Sequence, residues 1–130
     1  MTIDKKLFRS GPYADFFSQG VQVGKTVYLS GQVGTDAAGA APVDIVEQMK
    51  LAYGHVQAVL AEYGATMDNV VEETWFVTDV NECMSKVGDL FGARQEIFGK
   101  TPEVCQTLVG VAALVDPSYH IEIKCVAVLA

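Results

Sequence analysis

The sequence predicts an α+β domain in which a mixed β-sheet has two helices packed on one face. Strand and helix patterns follow one another in the order ββ-α-β-α-ββ. Two helices are too few to cover both faces of such a sheet, so both should lie on the same side. In addition, several strands have apolar residues on both of their faces, and the strand predicted over residues 120–129 shows this most clearly.

The first two strands are predicted over residues 17–23 and 26–33, which are rich in Val, Tyr and Leu. Only Gly24 and Lys25 separate them, and this spacing favours a hairpin. The small residues of D-A-A-G-A-A-P (residues 36–42) then predict a loop that leads to the first helix.

The first helix begins with a capping pattern, since Asp44 is followed three residues later by Glu47. Apolar residues then recur at helical spacing as far as Tyr63, and Gly64 ends the helix. Gly54, in the middle, costs about 1 kcal/mol relative to alanine. Its presence predicts close packing against the sheet.

Residues 70–79 predict the next strand, with Glu73, Trp75 and Val77 on one face. A second helix is predicted from a cap at Asn81 to about residue 98, where Gly99 ends it.

Two further strands are predicted over residues 107–115 and 120–129, on either side of the turn sequence D-P-S-Y. If these strands form a hairpin, Glu122 pairs near Ala112. Because the last strand is apolar on both sides, the sheet face that the helices leave open is expected to be buried by other subunits.

The chain has 130 residues, which corresponds to one domain over residues 1–130. No apolar run approaches the ~20 residues of a membrane span, and the N-terminus has no signal-peptide pattern. These features predict a cytoplasmic protein without a membrane partner. Three cysteines, at positions 83, 105 and 125, lack zinc-ligand spacing, which fits a reducing compartment. The net charge of −7 and the scattered basic residues argue against a nucleic-acid partner.

Two stretches are similar to a known family: F-F-S-Q-G-V-Q-V-G-K-T-V-Y-L-S-G-Q-V-G (residues 16–34) and H-I-E-I-K-C-V-A-V (residues 120–128). Together with Thr78-Asp79 they resemble the RidA/YjgF family, whose small trimeric members hydrolyse reactive enamines and imines. The resemblance implies a homotrimer with a fold like that of trimeric chorismate mutase. It also implies that three sheets form a central barrel and that the active sites lie in clefts between subunits.

The resemblance also assigns site residues. Gly31, whose backbone contacts substrate in the family, is retained. So is Glu122, which in the family positions the attacking water. By contrast, Gln106 occupies the position of the arginine that binds a substrate carboxylate, and Phe17 stands where many members have tyrosine. The family's asparagine on the second helix corresponds either to Phe91 or to Val87, depending on the end from which positions are counted.

A glutamine cannot replace the charge of an arginine, and its amide suits a carbonyl, amide or hydroxyl group better than a carboxylate. We therefore expect a neutral or weakly polar ligand in a pocket lined by Phe17, Phe91 and Leu108. The alternative is that Gln106 only makes a hydrogen bond at a strand end.

Glu122 is the predicted catalytic residue, because a partly desolvated carboxylate can deprotonate a water for attack on a C=N carbon. The alternative is a strand glutamate paired with Lys124 or solvent. If the last two strands form a hairpin, Gln106 and Glu122 lie too far apart to share a pocket within one subunit. They would then meet only across a subunit interface.

Cys105 adjoins Gln106, but no cation beside it in sequence would activate a thiolate, so it is assigned to substrate binding in preference to nucleophilic catalysis. His55 and His120 form no ligand set with nearby carboxylates, so neither a metal nor a cofactor is predicted. Three functions remain open: an enamine or imine deaminase, another catabolic hydrolase or lyase, and a non-catalytic trimer that binds a metabolite.

Overall fold

The computed structural model describes residues 1–130 as one seven-stranded sheet with three α-helices. The strands are β1 (Lys6–Phe8), β2 (Gly20–Val23), β3 (Thr26–Leu29), β4 (Gln32–Val33), β5 (Val70–Val77), β6 (Cys105–Gly110) and β7 (Ile121–Val128). The helices are α1 (Ile45–Ala61), α2 (Val80–Ser85) and α3 (Val87–Phe98), and a 3₁₀ turn covers Met67–Asn69. None of the helices is both long and apolar enough to cross a membrane.

The strand order is β1-β2-β3-β7-β5-β6, and the short β4 also pairs with β7. Only β5 and β6 run parallel to each other. The expected hairpin between the last two strands is therefore wrong, because β7 lies between β3 and β5 while β6 forms the sheet edge. A strand that is apolar on both faces is suited to such a central position.

The helices pack on one face of the sheet, and the predicted α+β fold class is confirmed. The inward side chains of β7, at positions 121, 123, 125 and 127, are fully buried in one core with the inner face of α1. Glu73, Trp75 and Val77 share that face of β5 as predicted, and all three are buried. The first hairpin is also confirmed, although β2 and β3 are shorter than expected.

The ends of α1 follow the sequence pattern, but one detail of its start differs. The Asp44 side chain accepts a hydrogen bond from the backbone N–H of Val46. Glu47, expected to complete a capping box, instead binds Lys50. Near the other end, Gly64 has the positive φ of 68° that ends helices.

The second predicted helix is two helices, separated by a break at Lys86. The cap of α2 is Asp79, whose carboxylate accepts from the Glu82 N–H, so the expectation of a cap at Asn81 is wrong. Aspartate one residue before a helix is as strong a cap as asparagine, so the pattern D-V-N allowed either start. Gly99 ends α3 with a φ of 76°, as predicted.

The close approach of β4 to α1 depends on Gly34. A Cβ at this position would lie 2.6 Å from the backbone carbon of Gln48. Gln48 cannot move aside easily, because its buried amide donates to Pro42 O and Ser118 O and accepts from the His120 N–H. A residue larger than glycine would therefore clash with the backbone of α1 at this position.

We expect Gly34→Ala to lower the free energy of unfolding by about 1–3 kcal/mol, the usual cost of overpacking. Urea unfolding at fixed protein concentration measures this. The matched control is Gly54→Ala. Contrary to the expected close packing, Gly54 is exposed and a Cβ there would meet nothing within 4 Å, so alanine should stabilise α1 by about 1 kcal/mol. Equal effects of the two substitutions would contradict this account.

Candidate functional site

A one-residue bulge opens the sheet where β3 passes into β4. Tyr28 pairs with Val126 and Gln32 pairs with Ile123, so three residues on one side face two residues of β7. The extra residue leaves the backbone around Gly31 outside the ladder. Such bulges are frequent beside active sites because they change the direction in which groups point.

Three hydrogen bonds hold this bulge in place. The Lys124 ammonium group donates to Leu29 O at 2.8 Å. The backbone N–H of Ser30 donates to Gln19 O, and its hydroxyl donates to Ser18 O at 2.7 Å. The bulge is therefore anchored both to β7 and to the segment that precedes β2.

Gly31 lies against the carboxylate of Glu122. A Cβ on Gly31 would be 2.7 Å from the carboxyl carbon of Glu122, so a larger residue would displace the Glu122 side chain from this position. The Gly31 N–H lies outside both strands and donates to no oxygen of the chain. A free backbone donor thus adjoins a carboxylate.

Glu122 is half-buried, and burial raises its pKa above the ordinary glutamate value of 4.5. The charge of Lys124 opposes this shift but does not cancel it. The two side chains form no ion pair, since Lys124 is bound to the Leu29 carbonyl. The structure therefore shows no pairing of Glu122 with Lys124, and the other alternative, a glutamate that meets only solvent, stays a prediction. A desolvated carboxylate without a bound cation is a suitable general base.

Glu122 and Gly31 line a cavity of about 670 Å³ together with Phe17. Phe17 is stacked on Tyr13, with ring centroids 5.6 Å apart. No lysine or arginine lines this cavity. Its walls therefore combine aromatic surface with polar groups and offer no cation to a ligand.

His55 also lines this cavity. From the sequence, this residue was assessed only as a possible metal ligand. Its Nε2 lies 2.8 Å from the carbonyl oxygen of Thr35. Since a carbonyl only accepts, Nε2 is the donor in this contact, and Nδ1 has no partner within the chain. The helical pattern of α1 does not indicate this position, because the contact of His55 with Thr35 and its place in the cavity depend on where β4 lies.

Gln106 lies on the other face of the sheet from Glu122. It pairs with Glu73 in the ladder, whereas Glu122 pairs with Phe76, and these two β5 residues point to opposite faces. The Gln106 amide donates to the Glu73 carboxylate at 2.6 Å. Gln106 and Glu122 are thus separated within one subunit, as expected. The reason is that they lie on opposite faces of the sheet, and not that they lie far apart along a hairpin.

The remaining predicted ligand-binding residues lie near Gln106 and do not line the cavity of Glu122. Phe91 stacks on Trp75 at 5.6 Å, and Leu108 packs against the core on the Gln106 face. Cys105 is exposed, and its thiol donates to Val71 O at 3.4 Å. Cys83 and Cys125 are buried, as expected for packing residues.

Comparison with known proteins agrees with this architecture. Residues 10–129 match the family described as Endoribonuclease L-PSP. The chain belongs to this family.

Two relatives of this family and one solved structure are similar to the chain over most of its length. RutC family protein YjgH of Escherichia coli (strain K12) is 32% identical over 120 residues, which cover 92% of this chain and 88% of the relative. The 2-iminobutanoate/2-iminopropanoate deaminase of Mus musculus is 35% identical over 125 residues, covering 91% and 82%. Rv2704 of Mycobacterium tuberculosis, a member of the YjgF/YER057c/UK114 family, has a TM-score of 0.80 at 27% identity, with 97% and 100% of the chains covered. The predicted RidA/YjgF resemblance is confirmed.

Proposed function

We propose that this protein hydrolyses the C=N bond of a small enamine or imine, with Glu122 as the general base. The observation that carries the proposal is the partly buried, unpaired Glu122 carboxylate held against Gly31 in a cavity. Membership of a family that contains imine deaminases supports the reaction type.

The site can supply each step of this hydrolysis. Glu122 takes a proton from a water as the water oxygen attacks the imine carbon, and the π electrons move to nitrogen. The free Gly31 N–H is placed to bind the polar centre that forms. Glu122 returns this proton to the nitrogen, which gives a carbinolamine. Glu122 then takes the proton of the new hydroxyl group and passes it to the amino group, so that the C=O bond forms as the C–N bond breaks and ammonia and a carbonyl product leave. One water is consumed, and Glu122 ends as a carboxylate.

The substrate is proposed to lack the usual carboxylate. The cavity of Glu122 has no lysine or arginine, and Gln106 provides a neutral amide where the family has a cation. A substrate carboxylate would also lie near the Glu122 carboxylate, and the charge of Arg94 beside Gln106 is already compensated by Glu73, so the repulsion would be unfavourable in a partly desolvated cleft.

We propose that three subunits assemble and that the site lies between them. The sheet face without helices exposes Tyr28, Val71 and Val128 by 40% or more, and apolar residues exposed in this way favour burial by a partner. Gln106 and Glu122 lie on opposite faces, so one site containing both needs two subunits. The partners are then a small molecule and further copies of this chain, in the cytoplasm. A net charge of −7 disfavours nucleic acid despite the family's description.

The test compares two substrates of matched shape, 2-iminopropionate and neutral 2-iminopropionamide, each generated in situ. Release of ammonia above the uncatalysed rate should be at least ~10-fold faster for the amide, because a desolvated charge–charge conflict of 1.4 kcal/mol already gives that ratio. Equal or faster hydrolysis of the acid would refute the substrate class. Absence of hydrolysis for both compounds would refute the reaction, and a stable monomer in sedimentation would refute the assembly.

A further inference from the structure

Glu73 is a fully buried carboxylate that accepts hydrogen bonds from three neighbouring side chains. Its Oε1 accepts from the Tyr53 hydroxyl at 2.7 Å. Its Oε2 accepts from Arg94 Nε at 2.8 Å and from Gln106 Nε2 at 2.6 Å. The guanidinium and the amide therefore meet at the same oxygen and lie side by side.

This arrangement decides which atoms Arg94 and Gln106 present to their surroundings. A carboxylate can only accept, so Gln106 must turn its amide nitrogen toward Glu73, and its Oε1 is left without a partner. Arg94 uses Nε, and its two terminal amino groups make no hydrogen bond within the chain. Every completely buried side-chain nitrogen and oxygen has a partner, so these free atoms keep some contact with solvent. An acceptor and several donors thus lie next to each other in a partly buried position.

The guanidinium is also held rigidly. It lies over the rings of Phe91 and Phe98, at 5.6 and 5.4 Å from their centroids, and the Arg94 side chain is only 12% exposed. Phe91 is 41% exposed and forms an apolar wall beside the polar atoms. Groups that are already ordered lose little entropy when a ligand binds.

The charges select the class of ligand. Glu73 compensates the charge of Arg94, so a carboxylate would gain little net attraction and would meet the lone pairs of Gln106 Oε1. A group with C=O and N–H side by side complements both residues. We propose that Arg94 and Gln106 form a subsite for a neutral carboxamide or ureido group. This deepens the proposed function by naming the group that replaces the substrate carboxylate.

The first experiment uses the wild-type protein and two probes of similar shape, phenylurea and benzoate. Each probe is titrated into ¹⁵N-labelled protein, and ¹H–¹⁵N NMR spectra follow the side-chain N–H signals of Gln106 Nε2 and Arg94 Nε. We expect phenylurea to shift both resonances and to bind about 10-fold more tightly than benzoate, which corresponds to one hydrogen bond with a charged group. Benzoate binding as tightly as phenylurea, or no shift with phenylurea, would overturn the proposal.

The second experiment uses Arg94→Lys, which keeps the charge but loses the planar fork, and Gln106→Met, which removes the acceptor. Each should weaken phenylurea binding about 10-fold. Gln95→Met is the matched control, since Gln95 is exposed on the same helix, and its affinity should equal the wild type. Unchanged affinity in folded Arg94→Lys and Gln106→Met would overturn the subsite.

Binding of phenylurea requires no turnover, so the proposed subsite and the proposed reaction can be refuted independently of each other. Normal phenylurea binding in a protein that hydrolyses neither imine would leave the subsite in place and reject the proposed reaction. Amide hydrolysis without phenylurea binding at Arg94 and Gln106 would reject the subsite alone.

Discussion

Glu122→Gln is expected to lower kcat for imine hydrolysis by about 100-fold or more, the usual scale for loss of a general base. Glutamine keeps the shape of the side chain against Gly31 but cannot take the proton from water. Steady-state kinetics on the neutral imine, with ammonia release as the readout, measures the effect.

The accompanying controls separate chemistry from folding. Burial raises the pKa of Glu122, so its charged form is less favourable in the folded state than in the unfolded state at neutral pH. That cost disappears as the pH falls through the raised pKa, and Gln removes it altogether. Glu122→Gln should therefore unfold at the same or a higher urea concentration than the wild type at pH 7.

The pH profile and a second carboxylate complete the test. Protonation of the base should make kcat/KM fall on the acid side with a midpoint above 4.5. Glu62→Gln, at the exposed carboxylate of the same cavity, should change kcat by less than about threefold, since surface substitutions usually have small effects. A similar loss of activity in both variants would contradict a specific role for Glu122.

Subunit mixing tests where the site lies. Glu122→Gln and Gln106→Ala chains should each have lowered activity alone. Mixed trimers of the two should be more active than either, because some clefts would then contain an intact Glu122 from one chain and an intact Gln106 from another. Mass spectrometry confirms the mixed trimers. If such trimers form without any recovered activity, Glu122 and Gln106 do not share a site.

Local sequence signals predicted most of the elements near the site. The Asp44 cap, the glycine that ends α3 and the alternation of Glu73, Trp75 and Val77 each depend on residues only a few positions apart. For this reason α1, β5 and the burial of the inner face of β5 could be predicted from the chain alone.

The position of β7 was not a local property. The D-P-S-Y turn between two apolar runs is typical of a hairpin, yet β7 pairs with β3, β4 and β5. Its apolar residues on both faces are compatible with any central position, so the sequence did not indicate which strands flank it. The error affected the site, because the relative positions of Gln106 and Glu122 follow from that order.

The sequence also did not indicate which residues form hydrogen bonds with the buried polar side chains. The sequence placed Glu73 on the inner face, where a carboxylate needs a cation or several donors. Arg94 is 21 residues away and on a helix whose start was misplaced, so nothing in the spacing selected it. Only the fold shows that Arg94 and Gln106 share one oxygen of Glu73.

Arg94→Met should lower the free energy of unfolding by about 3–5 kcal/mol, because it leaves the fully buried Glu73 carboxylate without its counter-charge. Urea unfolding at fixed protein concentration measures the loss. Lys100→Met is the matched control. Lys100 pairs with Asp68 and Glu103, but its side chain is 49% exposed, so its replacement should leave the urea midpoint nearly unchanged.

The double variant Glu73→Gln/Arg94→Met distinguishes a loss of charge compensation from a loss of packing. If the uncompensated carboxylate causes the damage, neutral Gln at position 73 should make the double variant more stable than Arg94→Met alone. If the damage comes from the contacts of Arg94 with Phe91 and Phe98, the second substitution should give no recovery. That second result would mean that packing against Phe91 and Phe98, and not charge compensation of Glu73, accounts for the stability that Arg94 contributes.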